Sequence, residues 1–306
     1  MDTVLARALP REVSPARFLR LALVTLGALY LVVATGAVVR LTGSGLGCDN
    51  WPRCGSTPFP EKGGHALIEF GNRVVALAAI ACTLWTWLAA RRTTGLPGWV
   101  RWAALGAFAG SVGQIPLGGL TVIFDLHPLL VMGHFLLAMV VLGLAVVVAI
   151  EAWSTVHGTA PPLEPVWWRW FALVGVAACL VLVVTGAVVT AAGPHSGGED
   201  IRRLGVEIVD VVYVHVRATA VFGIGLLVGA WFLTRSRHRY PGLFRWALGL
   251  LALLVTQMVV GEVQYRNALP WWLVLVHVSL AAAIWGATVA IVYAVWRPPA
   301  PLATRE

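Results

Sequence analysis

The sequence predicts an all-α membrane protein of eight transmembrane helices, built as two parallel-repeat four-helix bundles related by a pseudo-twofold axis along the membrane normal. Three observations carry this. Of the 306 residues 59% are hydrophobic and only 12% charged, about half the charged fraction of a soluble domain. Apolar runs of ~20 residues, long enough to cross a ~30 Å hydrocarbon core, recur at 18–41, 66–90, 99–123, 128–150, 167–191, 209–234, 243–265 and 271–296. The second group of four repeats the first.

The repeat is visible residue by residue. Thr35-Gly-Ala-Val-Val-Arg-Leu-Thr-Gly recurs as Thr185-Gly-Ala-Val-Val-Thr-Ala-Ala-Gly at the ends of the first and fifth runs. Gln114, Gly118 and Val122 in the third run correspond to Gln257, Gly261 and Tyr265 in the seventh. The same offset carries His134 onto His277 and Asn72 onto His215. An even number of spans per half makes both halves enter from the same side, so the repeat is parallel, and each half is expected to close as a four-helix bundle. The expected division is a tail over 1–17, an N-terminal bundle over 18–150, a linker over 151–166, a C-terminal bundle over 167–296 and a second tail over 297–306.

The net charge of +8 reads as topology, not as a nucleic-acid surface. With the N-terminus in the cytoplasm, Arg7, Arg11, Arg17, Arg20, Arg91, Arg92, Arg101, Arg169, Arg235, Arg237, Arg239, Arg245, Arg297 and Arg305 fall on the inner side, fourteen of the 22 Lys and Arg residues. That is the positive-inside pattern, and it places both termini in the cytoplasm. The first apolar run is long and continues into a repeat unit, so it reads as a span and not as a cleavable signal. Asp2 and Glu12 argue against a mitochondrial transit peptide.

Of four cysteines, Cys82 and Cys179 lie within apolar runs and read as packing residues. Cys48 and Cys54 share the first outside loop, where a disulfide persists if formed; a metal site or free thiols are the alternatives, the former weakened by the lack of a further His or Cys in that loop.

Of eight histidines, His157 and His238 fall in inner loops, and His65, His127 and His195 in or beside outer segments, all five read as solvated. His134, His215 and His277 stand inside apolar spans, each about six residues from the outer end and so ~9 Å deep at 1.5 Å per residue. Polar groups at that depth are functional by default. Two imidazoles facing one another across a four-helix bundle meet the requirement of bis-His haem ligation, which points to His215 and His277. A hydrogen-bonded or proton-relay pair is the rival, and a di-metal site lacks the carboxylates it needs, with only Asp210 and Glu262 near that edge.

The N-terminal half breaks the symmetry. His134 is kept, but its partner position is Asn72, and Glu69 stands one turn before it. Glu69 either moves protons beside an incompletely ligated haem or pairs with Arg73 at i+4. Arg73 and Arg217 are candidates for haem-propionate partners or for helix anchors at the interface. With Asn72 a weak ligand, one axial face of an N-terminal haem is left to water, an oxidant or a weak contact.

These residues resemble the haem A synthase family of bacteria. The resemblance rests on Val39-Arg-Leu-Thr-Gly-Ser-Gly-Leu-Gly-Cys with Trp51-Pro52, on Ile68-Glu69-Phe70-Gly71-Asn72-Arg73, and on the His134 helix. It continues through Thr185-Gly-Ala-Val-Val-Thr, Gly193-Pro-His-Ser-Gly-Gly, His215 and the His277 helix, spanning about residues 20–296. It implies an oxidoreductase that converts the C8 methyl group of haem O to a formyl group, giving haem A for terminal oxidases. The substrate haem is then expected in the N-terminal half, at His134, Asn72 and Arg73, and a haem b cofactor in the C-terminal half, with iron held by His215 and His277. Glu69 matches the family's catalytic glutamate, and Cys48 and Cys54 its loop cysteine pair; Asn72 departs from the pattern, where a fourth histidine stands. The expected partners are haem O, a haem O synthase (farnesyltransferase), an electron donor or acceptor, and membrane lipid. A bis-His b-type cytochrome exchanging electrons with quinones predicts two alike haem sites, and a transporter predicts polar groups at the bilayer midplane; the asymmetry and the outer placement count against each.

Overall fold

The computed structural model describes residues 12–48, 50–55, 59–60, 63–198 and 200–304; Arg7, Arg11 and Arg305, counted above, lie outside the described residues. Eight long helices follow in order: α1 (Pro15–Leu41), α2 (Gly64–Ala90), α3 (Gly98–Ile123), α4 (Pro128–His157), α5 (Trp167–Ala192), α6 (Ile208–Leu233), α7 (Pro241–Arg266) and α8 (Trp271–Trp296). Proline opens α1, α4 and α7, where its missing N–H leaves no bond unmade and its fixed φ suits the first turn. All eight are long and apolar enough to cross a membrane. Their outward faces carry Leu23, Val24, Leu77, Trp102 and Val174, each more than half exposed, a surface that only lipid satisfies. The chain is a multi-pass membrane protein.

Within the first half α1 packs on α2, α2 on α3, α3 on α4, and α4 closes back on α1; in the second, α5 to α8 repeat the ring. The halves meet where α4 lies against α8, flanked by matching α1–α8 and α4–α5 contacts. Gly143 and Gly286 occupy equivalent positions at this crossing: a Cβ on the first would stand 3.4 Å from Trp285 Nε1, and on the second 3.6 Å from Val146. Small residues permit close backbone approach between spans, and Trp285 Nε1 uses it to donate to the Met139 carbonyl at 2.7 Å.

The predicted spans are recovered to within a few residues, with one informative exception. Helix α4 runs to His157, seven residues beyond the expected end at 150, so the segment expected as linker begins with two helical turns and His157 ends a helix where a loop was expected. The first residue past the expected end is Glu151, and a charge inside a span is costly. The fold removes that cost: Arg297 Nε donates to Glu151 Oε1 at 2.7 Å, and Tyr293 donates to the same oxygen.

Candidate functional site

All four repeat-related polar positions lie toward the same end of the bundles. His134 and His277 are each the seventh residue of their helices, His215 the eighth of α6 and Asn72 the ninth of α2.

In the C-terminal half, His215 and His277 face each other across the bundle with ring centroids 6.5 Å apart and planes 65° apart. A metal between two imidazoles, at about 2 Å from each nitrogen, separates the rings by about 6 Å, so the pair is spaced for one iron. The tautomer of His215 follows from its neighbour. Thr185 has a single hydroxyl proton, which it donates within its own helix to Val181 O (2.9 Å) or Leu182 O (3.0 Å), so at 3.0 Å from His215 Nδ1 it accepts. Nδ1 therefore carries the proton and Nε2 keeps its lone pair, the state a metal ligand requires. Glycines make room for both rings: a Cβ at Gly186 would lie 3.0 Å from His215 Cε1, and one at Gly261 3.1 Å from His277 Cε1. His277 Nδ1 is buried with no partner.

The N-terminal half keeps the same frame. A Cβ at Gly118 would stand 3.3 Å from His134 Cε1, and His134 Nδ1 is again buried and unpartnered. Across from it Thr35 Oγ1 donates to Asn72 Oδ1 at 2.7 Å, the repeat counterpart of the Thr185–His215 contact with its polarity reversed. At Gly36 the nearest atom to an added Cβ is Asn72 Oδ1 at 3.9 Å, against 3.0 Å at Gly186, so this groove is roomier where an imidazole fills its counterpart.

Glu69 and Arg73 tie α2 to the loop above it. Glu69 is 5% exposed; its Oε2 accepts the Cys48 N–H at 2.8 Å and its Oε1 pairs with Arg73. Arg73 in turn donates to the carbonyls of Pro52 (3.1 Å) and Arg53 (3.0 Å). Cys48 and Cys54 form a disulfide, and both are buried against Ala66. Trp51 lies on α3 at Gly119, where a Cβ would come within 2.9 Å of its ring, one residue from the glycine that seats His134. The loop is thus a fastened cover over the N-terminal position. His65, expected solvated, is exposed but bonded through Nδ1 to Ser44 Oγ at 2.9 Å. Arg217 lies two residues from His215, about 200° around the helix, exposed, with its guanidinium 3.4 Å from the Tyr213 ring centre.

Four features were not singled out as site residues from sequence. Arg40 crosses between the halves, donating to Thr190 O and His195 O, both at 2.6 Å, and its target Thr190 is its own repeat counterpart. His195, expected to be solvated, is half-buried and bonded through Nε2 to Leu269 O at 2.7 Å. Gly45 N–H donates to Gly197 O at 2.8 Å, and Gly197 holds φ +102° with Leu126 Cδ1 2.8 Å from where a Cβ would stand, a conformation that favours glycine. Gln114 and Gln257 donate through Nε2 to the carbonyls of His134 (3.1 Å) and His277 (3.0 Å). The repeat offset marked these glutamines, but pattern alone did not attach them to the histidines.

Fold and site together define a membrane protein that presents an imidazole pair in one bundle and, in its repeat, an imidazole opposite an amide beneath a disulfide-fastened loop. Comparison with known proteins narrows the class. A family model described as cytochrome oxidase assembly protein, COX15-CtaA, matches residues 19–65 and 59–289, and the chain belongs to this family. It is 27% identical over 283 residues to the haem A synthase of Symbiobacterium thermophilum, covering 84% of this chain and 89% of that protein. It is 30% identical over 120 residues to that of Bacillus licheniformis, 38% of each chain, and 29% identical over 133 residues to that of Parvibaculum lavamentivorans, 40% of this chain and 37% of that one.

Proposed function

We propose that this chain is a haem A synthase: an oxidoreductase acting on a CH group that converts the C8 methyl of haem O to a formyl group. The observation that carries the reading is the broken symmetry, two bundles with one frame, of which one holds an imidazole pair and the other an imidazole opposite an amide. The family and the haem A synthases it resembles supply the activity; the spacing of His215 and His277, the fixed tautomer of His215 and the glycine seats support a haem b in the C-terminal half. Among the described residues no three His, Cys, Asp or Glu side chains group as metal ligands, so the imidazole pair stands without the carboxylates of a di-metal cage.

In this reading His215 and His277 hold the haem b iron, and that haem when bound supplies one-electron chemistry. His134 binds the iron of the substrate haem. Asn72, its oxygen already accepting from Thr35, is at most a weak ligand for iron, so that face of the substrate stays open to a small reactant. Glu69 is the catalytic carboxylate, holding and passing protons at the edge of the substrate site, and Arg73, which pairs with it, is the candidate propionate partner there; Arg217 is the corresponding candidate in the other half. The loop of Cys48, Trp51 and Cys54 excludes water above the N-terminal site. Positive-inside charge puts both termini in the cytoplasm and the haem sites toward the outer face of a bacterial plasma membrane, with a haem O synthase as upstream partner and a separate electron donor or acceptor.

Purification followed by haem extraction tests the reading. Haem O or haem A recovered beside haem b is expected. Haem b alone would favour an electron-carrying cytochrome, and protein free of haem would overturn both.

A further inference from the structure

The helices α3 and α7 contribute no proposed ligand, yet each touches one. Gln114 on α3 and Gln257 on α7, 143 residues apart, donate through Nε2 to the backbone carbonyl of His134 and His277 at 3.1 and 3.0 Å. One turn further along each helix, Gly118 and Gly261 seat the imidazole edge: the Cβ position at Gly261 is 3.1 Å from His277 Cε1 and 3.5 Å from its Nδ1, and at Gly118 it is 3.3 and 3.8 Å from the same atoms of His134. The ring edge bearing Nδ1 therefore faces the helix that carries the glutamine. Among the polar atoms left buried without a partner, the same repeat-related two occur in both halves: Oε1 of the glutamine and Nδ1 of the histidine.

Four orphaned atoms at two repeat-related places need a physical reason, because a buried polar atom without a hydrogen bond costs roughly 1–3 kcal/mol. A histidine that gives Nε2 to a metal carries its proton on Nδ1 and needs an acceptor for it. Histidine His215 has one in Thr185. For His134 the unpartnered acceptor on the facing helix is Gln114 Oε1; for His277 it is Gln257 Oε1, on the residue that already holds its carbonyl, with Gln264 Oε1 two turns further along α7 also unpartnered.

We infer that Gln257 and Gln114 are positioning residues, each clasping its histidine twice, through Nε2 to the backbone carbonyl and through Oε1 to the Nδ1–H of the ligating imidazole. The inference rests on the haem-ligation reading above. It makes the second coordination layer asymmetric within the C-terminal bundle: a hydroxyl acceptor on the α5 side and an amide acceptor on the α7 side. Acceptor strength at Nδ1–H sets the electron donation of the ring to iron, so these glutamines tune the haem without touching it.

The test is the reduction potential of haem b in purified full-length protein carrying Gln257→Glu or Gln257→Leu. A carboxylate accepts more strongly and stabilises ferric iron; leucine removes the acceptor. The expected result is shifts of opposite sign, each on the order of tenfold in the reduced-to-oxidised ratio at fixed potential, or ~59 mV for a one-electron couple. Gln114→Glu should leave that potential unchanged while altering the electron paramagnetic resonance of an N-terminal haem. Equal potentials in wild type and Gln257→Glu would overturn the proposal, as would shifts of the same sign in both variants, which loss of the carbonyl contact alone would give. Should the leucine variant fail to assemble, the glutamate variant decides. His277→Ala keeps the two readings apart: if it retains low-spin haem b, ligation itself fails; if it loses the haem while Gln257→Glu has no effect, only the role of the glutamine fails.

Discussion

In the C-terminal half Thr185 accepts a hydrogen bond from the imidazole of His215; in the N-terminal half Thr35, at the equivalent position, donates one to the amide of Asn72. Everything around this exchange is shared: the glycines that seat the facing histidines, the glutamines that hold their carbonyls, the four-helix ring. A duplicated scaffold has kept its frame and changed one side chain and the direction of one hydrogen bond. The second difference lies above the site. The first half carries a loop fastened by the Cys48–Cys54 disulfide, by Glu69 and by Arg73, and the second half lends the carbonyls of Thr190, in the last turn of α5, and of His195, in the loop after it, to Arg40 of the first. One half is arranged to hold a group with two imidazoles, the other to hold one with a single imidazole beneath a cover.

The largest expected effect breaks the better-ligated half. Replacing His215 or His277 with Ala should abolish the low-spin b-type absorption of the purified protein; unchanged spectra in both variants would refute the assignment. Next, Glu69→Gln should leave that absorption intact and lower haem A formation tenfold or more. The comparison with Arg73→Gln sharpens this, because the two residues pair: equal losses in both would make the pair a loop clasp and not a site of proton chemistry. Asn72→His should erase the difference between the halves, moving an N-terminal haem from at least partly high spin to low spin as read by electron paramagnetic resonance. A fully low-spin N-terminal haem in the unaltered protein would defeat the account. Smallest is the loop. Opening a ring of this size by Cys54→Ser removes about 2 kcal/mol of chain-entropy stabilisation, but Glu69, Arg73 and Trp51 still hold the loop, so haem A yield should fall by only a fewfold. Complete loss, assayed by haem extraction, would give the disulfide a chemical role.

Class and architecture were legible in the chain because the bilayer imposes a length and a polarity on each span, which a linear pattern records. The repeat was legible for a related reason: equivalent positions in two copies meet equivalent surroundings and keep the same residues, so Gln114 with Gln257 and His134 with His277 appear as an offset before any fold is known. The intramembrane histidines stood out because polar groups at that depth are expensive. Tertiary structure alone decided the rest. Glu151 stands just past the expected end of its span, yet it lies within α4 because Arg297 and Tyr293, some 140 residues away, neutralise it. Arg40 and His195 resemble interfacial residues until the halves come together and the backbone carbonyls they serve are brought within reach. The tautomer of His215 depends on where Thr185 sends its proton, a choice set by two carbonyls of the same helix. Composition and spacing report which groups a chain must bury; which partner satisfies each buried group is fixed by packing, since hydrogen-bond geometry operates over a few ångströms between segments that the sequence leaves far apart.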